Sequence, residues 1–269
     1  MTDAPDISTF DRSLVLEPLG AGRYRLPTSR DWWNINDAFG GWIAAATGAA
    51  IQAEAADHHE ILIHTTQFMA PVQGDAVHLE VQHLRAGRKT AFWRVVVADG
   101  DSGAVLVTAD VVTGERRERG FGYDRPLAEM PDPDSGFPQK ILPGMPGWLV
   151  QFEQKIFRGI PFGDNGTPDS LANLRHRDGR AVDSLALLMM ADITMPRTFL
   201  ITDKAQMVAT ISMSTHILAD RAEIAAAGSD IIWLEAGSSG VRHGLQNQET
   251  RLYRRDGLLL AVSYQVARY

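Results

Sequence analysis

The sequence predicts an α+β fold built from two copies of one unit, and three observations carry that prediction. In each half of the 269-residue chain one apolar helical segment is followed by a run of strand-like segments. A stretch rich in charge, proline and glycine, residues 114–147, separates the halves. Each half closes on two strands around an Asp-Gly-containing turn, VVVADGDSGAVLVTADV in the first and RLYRRDGLLLAVSYQV in the second. A helix followed by an antiparallel meander buries its apolar side by lying against the sheet, and two such units in tandem is the economical arrangement. Identity between the halves is slight, so the order of elements carries the repeat.

Residues 14–30 read as a hairpin around Gly20-Ala21-Gly22. A helix is expected over 42–56, with Gly40-Gly41 in its first turn and Asn36 or Asp37 as its cap. Its small residues, Ala44, Ala45, Ala46, Gly48, Ala49 and Ala50, allow close approach to a sheet. Strands are expected at 61–72, 76–84, 90–98 and 104–113, broken by turn-rich residues at 85–89 and 99–103. The division is then an N-terminal domain over 1–118, a linker over 119–147 and a C-terminal domain over 148–269. The second half offers strands at 149–158 and 170–177, a helix at 182–194, and strands at 207–218, 231–238, 245–254 and 258–267.

Composition narrows the function classes. Hydrophobic residues make up 45% and charged residues 22%, as in ordinary globular proteins. No apolar run reaches the ~18 residues of a membrane span, and the acidic start MTDAPDISTFDRS lacks the apolar core of a secretory signal. Cysteine is absent, which excludes thiolate catalysis, disulfides and Cys-ligated metals and fits a cytoplasmic protein. A net charge of −7 argues against gripping nucleic acid, whose phosphates demand a basic surplus. The motifs G-x-S-x-G, H-E-x-x-H and the P-loop are also missing.

The candidate chemistry lies in the second half. On the 182–194 helix, Leu185, Leu188, Met189 and Asp192 fall at i, i+3, i+4 and i+7, so an apolar face carries a carboxylate. On the strand ATISMSTHI, Thr210 shares a face with Ser212, Ser214 and His216, opposite Ala209, Ile211, Met213 and Ile217. Gln265 interrupts the last strand on the face of Leu259, Ala261 and Ser263. A carboxylate, a hydroxyl and an amide on three elements can converge. Each also has a plain structural reading: Asp192 exposed at a fraying turn, Thr210 present for strand propensity, Gln265 on an edge. His58, His59, Glu60 and His64 match no metal spacing and read as a solvated connection, and His216 as structural. Trp32 and Trp33 are expected at the helix entrance or an interface, and Met189 and Met190 in the core or lining a pocket.

The segments MMADITMP, ATISMSTHI and LAVSYQ, together with FGGWIAAA, QFMAPV and LRAGRKTAFWRVVV, resemble the acyl-CoA thioesterase II family, the double-hotdog thioesterases. The resemblance spans nearly the whole chain outside 114–147. It implies a double-hotdog fold and hydrolysis of an acyl-CoA by water activated by Asp192, Thr210 and Gln265, without metal or cofactor. Substrate contacts are expected at Gly40, Gly41 and Trp42, with backbone N–H groups of Gly40-Gly41 or of the second helix's first turn as donors to the oxyanion. CoA phosphates are expected near the basic cluster of Arg85, Arg88, Lys89 and Arg94, and copies of a hotdog sheet are expected to pair into a homo-oligomer. That cluster reads equally well as a solvated turn. Two places depart from the family pattern. Ser212-Met213 stands where an Asp-His pair is common, and Ala70-Pro71 replaces Arg-Pro. Both bear on acyl and CoA preference more than on the reaction. The alternatives are a hotdog acyl-CoA hydratase or dehydratase, and a non-catalytic acyl-CoA or lipid-binding protein.

Overall fold

The computed structural model describes residues 7–56, 59–117, 120–163 and 165–269. In chain order it runs α1 (Thr9–Ser13), β1 (Glu17–Gly20), β2 (Arg23–Pro27), α2 (Gly40–Glu54), β3 (Glu60–Phe68), β4 (Ala76–Ala86), β5 (Thr90–Asp99) and β6 (Val105–Gly114). It continues with β7 (Phe137–Pro138), β8 (Phe152–Arg158), β9 (Ser170–His176), α3 (Ser184–Met190), α4 (Thr198–Ile201) and β10 (Ala209–Ile217). The chain ends with α5 (Arg221–Ala225), β11 (Ile232–Gly237), β12 (Val241–Arg242), β13 (Leu245–Arg254) and β14 (Leu259–Arg268). Among the described residues no helix is long and apolar enough to cross a membrane.

The strands form one antiparallel sheet in the order β1-β2-β4-β5-β6-β3-β10-β14-β13-β11-β9-β8-β7, with β12 on β13. The repeat is visible in this order. In each half the first strand after the helix, β3 or β10, lies beside the last, β6 or β14. The expected plain meander therefore holds only for the last three strands of each unit. β3 and β10 pair with each other, Met213 opposite Thr66, and fuse the two units into one sheet. This is the α+β double hotdog, with α2 and α3 inside the curve.

α2 and α3 run antiparallel: Gly41 faces Met189, Gly48 faces Leu185 and Leu188, and Gln52 Nε2 donates to Ser184 Oγ. Gly41 and Gly48 are two turns apart on one face, which lets the helix axes approach closely. All six residues Leu185–Met190 of α3 are buried, so this helix is apolar on every side instead of amphipathic. A seven-residue helix is too short to persist alone, and burial worth about 1.5–3 kcal/mol for each large side chain holds it. A Cβ added at Gly41 would lie 2.5 Å from the Met189 carbonyl oxygen, a backbone atom that cannot turn aside. We expect Gly41→Ala to lose about 1–3 kcal/mol by overpacking, measured by urea unfolding. Wild-type stability would refute this packing account.

The 114–147 stretch is more than a tether. β7 pairs with β8 at the sheet edge, and Leu127 packs on a second cluster of Leu171, Trp233, Tyr253 and Leu259. Leu259 belongs to that cluster because β14 bulges at Leu260: Ala261 opposes Leu252 while Leu259 opposes Tyr253. Leu259 thus points away from the face of Ala261, Ser263 and Gln265, contrary to simple alternation.

Candidate active site

α3 stops at Met190, short of the expected 194. The backbone then tightens: the N–H groups of Asp192 and Ile193 donate to residues three back, Met189 and Met190, each at 3.2 Å. Asp192 therefore sits in the turn after the helix, not on its stripe. As a residue it is half-buried, and its carboxyl is enclosed enough that desolvation governs its ionisation.

The start of α2 faces it. Neither Asn36 nor Asp37 caps this helix; the cap position is Phe39, which has no side-chain hydrogen bond to offer. Asp37 is engaged elsewhere, its carbonyl accepting from Asn34 N–H at 2.7 Å and its Oδ1 from Asn34 Nδ2 at 3.1 Å. The free donors of the first turn are thus left for another element, and Gly41 N–H donates to the Asp192 carboxylate. α3, by contrast, has its own cap, Asp183, accepting from Ala186 N–H. Gly40 makes room: a Cβ there would lie 2.7 Å from Asp192 Oδ2 and 3.3 Å from the Phe68 ring. Asp192 is nine residues after the cap of α3, and nine residues after Phe39 comes Gly48, so the first unit has no acid at that position.

Thr210 reaches the site through a β-bulge. It opposes Ala267 on β14 while Met213 opposes Gln265, and 265 and 267 share a face. Ile211 is the extra residue, and it reverses the alternation. Thr210 therefore lies on the inner face with Met213, contrary to its expected grouping with Ser212, Ser214 and His216. Those three look outward: Ser212 and Ser214 bond to Gln67 and Thr65 of β3, and the His216 ring lies by Tyr264.

Gln265 ties the three together. Its Nε2 donates to Asp192 Oδ1 at 2.7 Å and to Thr210 Oγ1 at 2.6 Å. Both amide hydrogens are then used. Thr210 accepts there and keeps its own hydroxyl proton for a third group. Gln265 Oε1 in turn accepts from Gln248 Nε2 at 3.0 Å, and Gln248 Oε1 accepts from Arg197 Nε at 2.9 Å. Thr194 joins this layer through Gln248 and Thr250. Sequence reasoning missed Arg197, Gln248 and Thr194. A signal existed: Gln246, Gln248 and Thr250 put polar side chains at alternate positions of β13, and all three are buried.

Burial raises the Asp192 pKa to about 7, against the opposing pull of the Gln265 amide and the Gly41 N–H. The carboxyl can therefore take and return a proton near neutrality.

The structure does not bring the remaining predicted contacts here. Trp42 is fully buried in the core and its Nε1 donates to Ser13, so it lines no open pocket. Arg88 and Lys89 sit in the β4–β5 turn, where Thr90 pairs with Gly114 and Gly114 with Glu60. That is the far end of β3 from Gln67, which pairs with Ser212, a separation on the order of 20 Å at ~3.3 Å per residue. Arg94 is engaged by Asp110 on the outer face. His64 is buried, with Thr47 Oγ1 at 2.8 Å and Thr66 Oγ1 at 3.3 Å, and burial lowers its pKa to about 4. It is thus a core histidine and no part of a solvated connection; His58 lies outside the described residues. Trp32 and Trp33 are buried at the entrance to α2, where the Trp32 carbonyl accepts from Phe39 N–H. Among the described residues no cluster of three His, Asp or Glu stands ready to hold a metal ion.

Comparison with known proteins agrees with this architecture. Residues 124–269 match the family described as the acyl-CoA thioesterase C-terminal domain, and residues 29–114 match the acyl-CoA thioesterase N-terminal domain. No curated protein sequence matches the chain. Among solved structures, a conserved hot dog fold protein of unknown function from Alicyclobacillus acidocaldarius superposes with a TM-score of 0.92 at 23% identity, covering 98% of each chain. The tesB protein of Mycobacterium avium subs paratuberculosis gives 0.77 at 21% identity, covering 96% of this chain and 97% of that one. Acyl-CoA thioesterase II TesB2 of Mycobacterium marinum gives 0.75 at 16%, covering 97% of each. These likenesses establish the fold, and the match over more than half the sequence establishes the family: the chain belongs to the acyl-CoA thioesterase family and matches both its N-terminal and its C-terminal domain.

Proposed function

We propose that the protein hydrolyses the thioester of an acyl-CoA to a carboxylic acid and CoA, with Asp192 as the base. The observation that carries this reading is one amide, Gln265, bonded at once to a carboxylate at 2.7 Å and to a hydroxyl at 2.6 Å beside an uncapped helix start. A water held between Asp192 and Thr210 gives its proton to Asp192 as its oxygen attacks the carbonyl carbon. The first-turn donors of α2 suit the oxyanion that forms. The C–S bond then breaks, and the proton on Asp192 passes to the departing sulfur. Acyl-CoA as the substrate class rests on the family membership. The same reading carries a cytoplasmic location, a homo-oligomeric assembly and the division at 118 and 147.

The hydratase alternative asks for a histidine paired with the acid, and the buried His64 is engaged by Thr47 and Thr66. The binding-only alternative asks for an exposed Asp192 without partners, and this one is half-buried with Gln265 at 2.7 Å.

The test is release of free CoA thiol from acyl-CoAs of graded chain length. A base must be deprotonated to act, so kcat should rise with pH along a single-proton curve with its midpoint near 7. A flat profile between pH 5 and 9 would remove Asp192 as the base. Binding without thiol release from any chain length would remove the hydrolase reading itself.

A further inference from the structure

We propose that Arg197 and Gln248 are positioning residues: together they set the direction of the Gln265 amide, and so which of its two ends faces Asp192 and Thr210. The consequence for turnover rests on the hydrolytic reading above. The direction of the amides is fixed by hydrogen bonds alone.

A glutamine amide has two ends of nearly equal size, one a donor and one an acceptor. Reversed, Gln265 would aim a carbonyl oxygen at the Asp192 carboxylate and at the Thr210 hydroxyl. A neighbouring glutamine cannot prevent this alone, because it can reverse in concert. The line of amides needs an end that only donates, and Arg197 is that end.

Its guanidinium is fully buried and fixed by acceptors. Nε donates to the Met195 carbonyl at 3.1 Å and to Gln248 Oε1 at 2.9 Å. Nη1 donates to the Pro168 carbonyl at 3.0 Å and to Ser170 Oγ at 2.8 Å, and Nη2 to the Met195 carbonyl at 2.5 Å. Burial lowers its pKa to about 10, which leaves it a cation at neutrality. Gln248 must therefore turn its oxygen to Arg197 and its Nε2 toward Thr194 Oγ1, at 2.5 Å, and Gln265 Oε1, at 3.0 Å. Gln265 is left with only its Nε2 for Asp192 and Thr210. The atoms that the guanidinium bonds are neutral, and the Asp169 charge nearby offsets only part of its desolvation, so burying it is costly; fixing this direction is what the arrangement accomplishes.

The groups facing Asp192 are few. α2 contributes Gly40 and Gly41, β14 contributes Gln265, and β10 contributes Thr210 through that amide. The charged group joined to this network is Arg197, which touches Gln248 and not the carboxylate.

Two substitutions test the relay. Gln248→Met removes both ends of the intermediate amide without adding charge. Gln248→Glu keeps acceptors for Arg197 but offers Gln265 no donor, so Gln265 must reverse. The new carboxylate gains the guanidinium as its counter-ion, which favours folding. Thermal unfolding identifies the folded variants. In these we expect kcat for thiol release to fall about tenfold in Gln248→Met and about hundredfold in Gln248→Glu, with KM within about twofold of wild type. The Asp192 carboxyl, followed by 13C NMR without substrate, should titrate near 7 in the wild type. It should titrate higher in Gln248→Met and higher again in Gln248→Glu. Wild-type kcat in either folded variant, or an unmoved Asp192 midpoint in both, overturns the relay. A wild type that releases no thiol overturns the hydrolytic reading only, and the titration then decides the relay by itself.

Discussion

Asp192→Asn should lower kcat for thiol release by roughly 10²- to 10⁴-fold, the span of a lost general base, and at the same time raise the melting temperature at pH 8. The two effects share one cause. In the folded wild type burial raises the Asp192 pKa from 3.8 to about 7. A raised carboxyl pKa means that the folded state holds its proton more tightly than the unfolded chain. The corresponding stability is present in full below pH 4 and is lost as the pH climbs through 7. At pH 8 the wild type carries an ionised carboxylate in its interior, at a cost of at most about 4 kcal/mol. Asparagine keeps an acceptor for the Gln265 amide and removes that charge. The difference in melting temperature should shrink steadily from pH 8 to pH 5. A variant that is inactive but less stable at pH 8 would mean that Asp192 holds the fold, and a variant with near-wild-type kcat would end its candidacy as base.

Gly40→Ala should reduce kcat by at least about tenfold with little change in melting temperature. The added Cβ would stand 2.7 Å from Asp192 Oδ2, closer than any real carbon–oxygen contact, and 3.3 Å from the Phe68 ring. The carboxylate would have to swing away, straining its bond to Gln265, or the methyl group would occupy the place of the water. Stability should hold because alanine suits the first turn of a helix better than glycine. Gly41→Ala is the counterpart, with its clash against a backbone carbonyl and its expected loss of stability. Adjacent glycines should thus fail in different assays. A Gly40→Ala protein with wild-type kcat would show that Asp192 works without the space beside it.

Much of this was legible in the residues. The two apolar helical segments, the order of strands around them and the Asp-Gly turns specify the repeat, because helices need one period of burial and strands another. The glycine pair at 40–41 and the residues Asp192, Thr210 and Gln265 were legible through resemblance to a family. Three-dimensional structure decided how they meet. Alternation placed Thr210 on the wrong face, since a one-residue bulge at Ile211 reverses parity and nothing in the letters announces it. The same happened to Leu259, through the bulge at Leu260. Periodicity placed Asp192 on a helix face, whereas it follows the helix in a tightened turn and serves as acceptor for a different helix. Trp42 looked like pocket lining and is core.

What the sequence alone determined is the inventory and the repeat: two units of a sheet-wrapped helix, no cysteine chemistry, and three polar residues in the second unit. What only the tertiary structure decided is the pairing of β3 with β10 that fuses the units into one sheet, and the direction of the hydrogen bonds. Asp192 and Gln265 are 73 residues apart, and Arg197 and Gln248 are 51 apart. Local propensity acts over a few residues, so it cannot say which end of an amide faces a carboxylate. That is set by a donor-only guanidinium two side chains away and by the uncapped start of a helix from the other half of the chain.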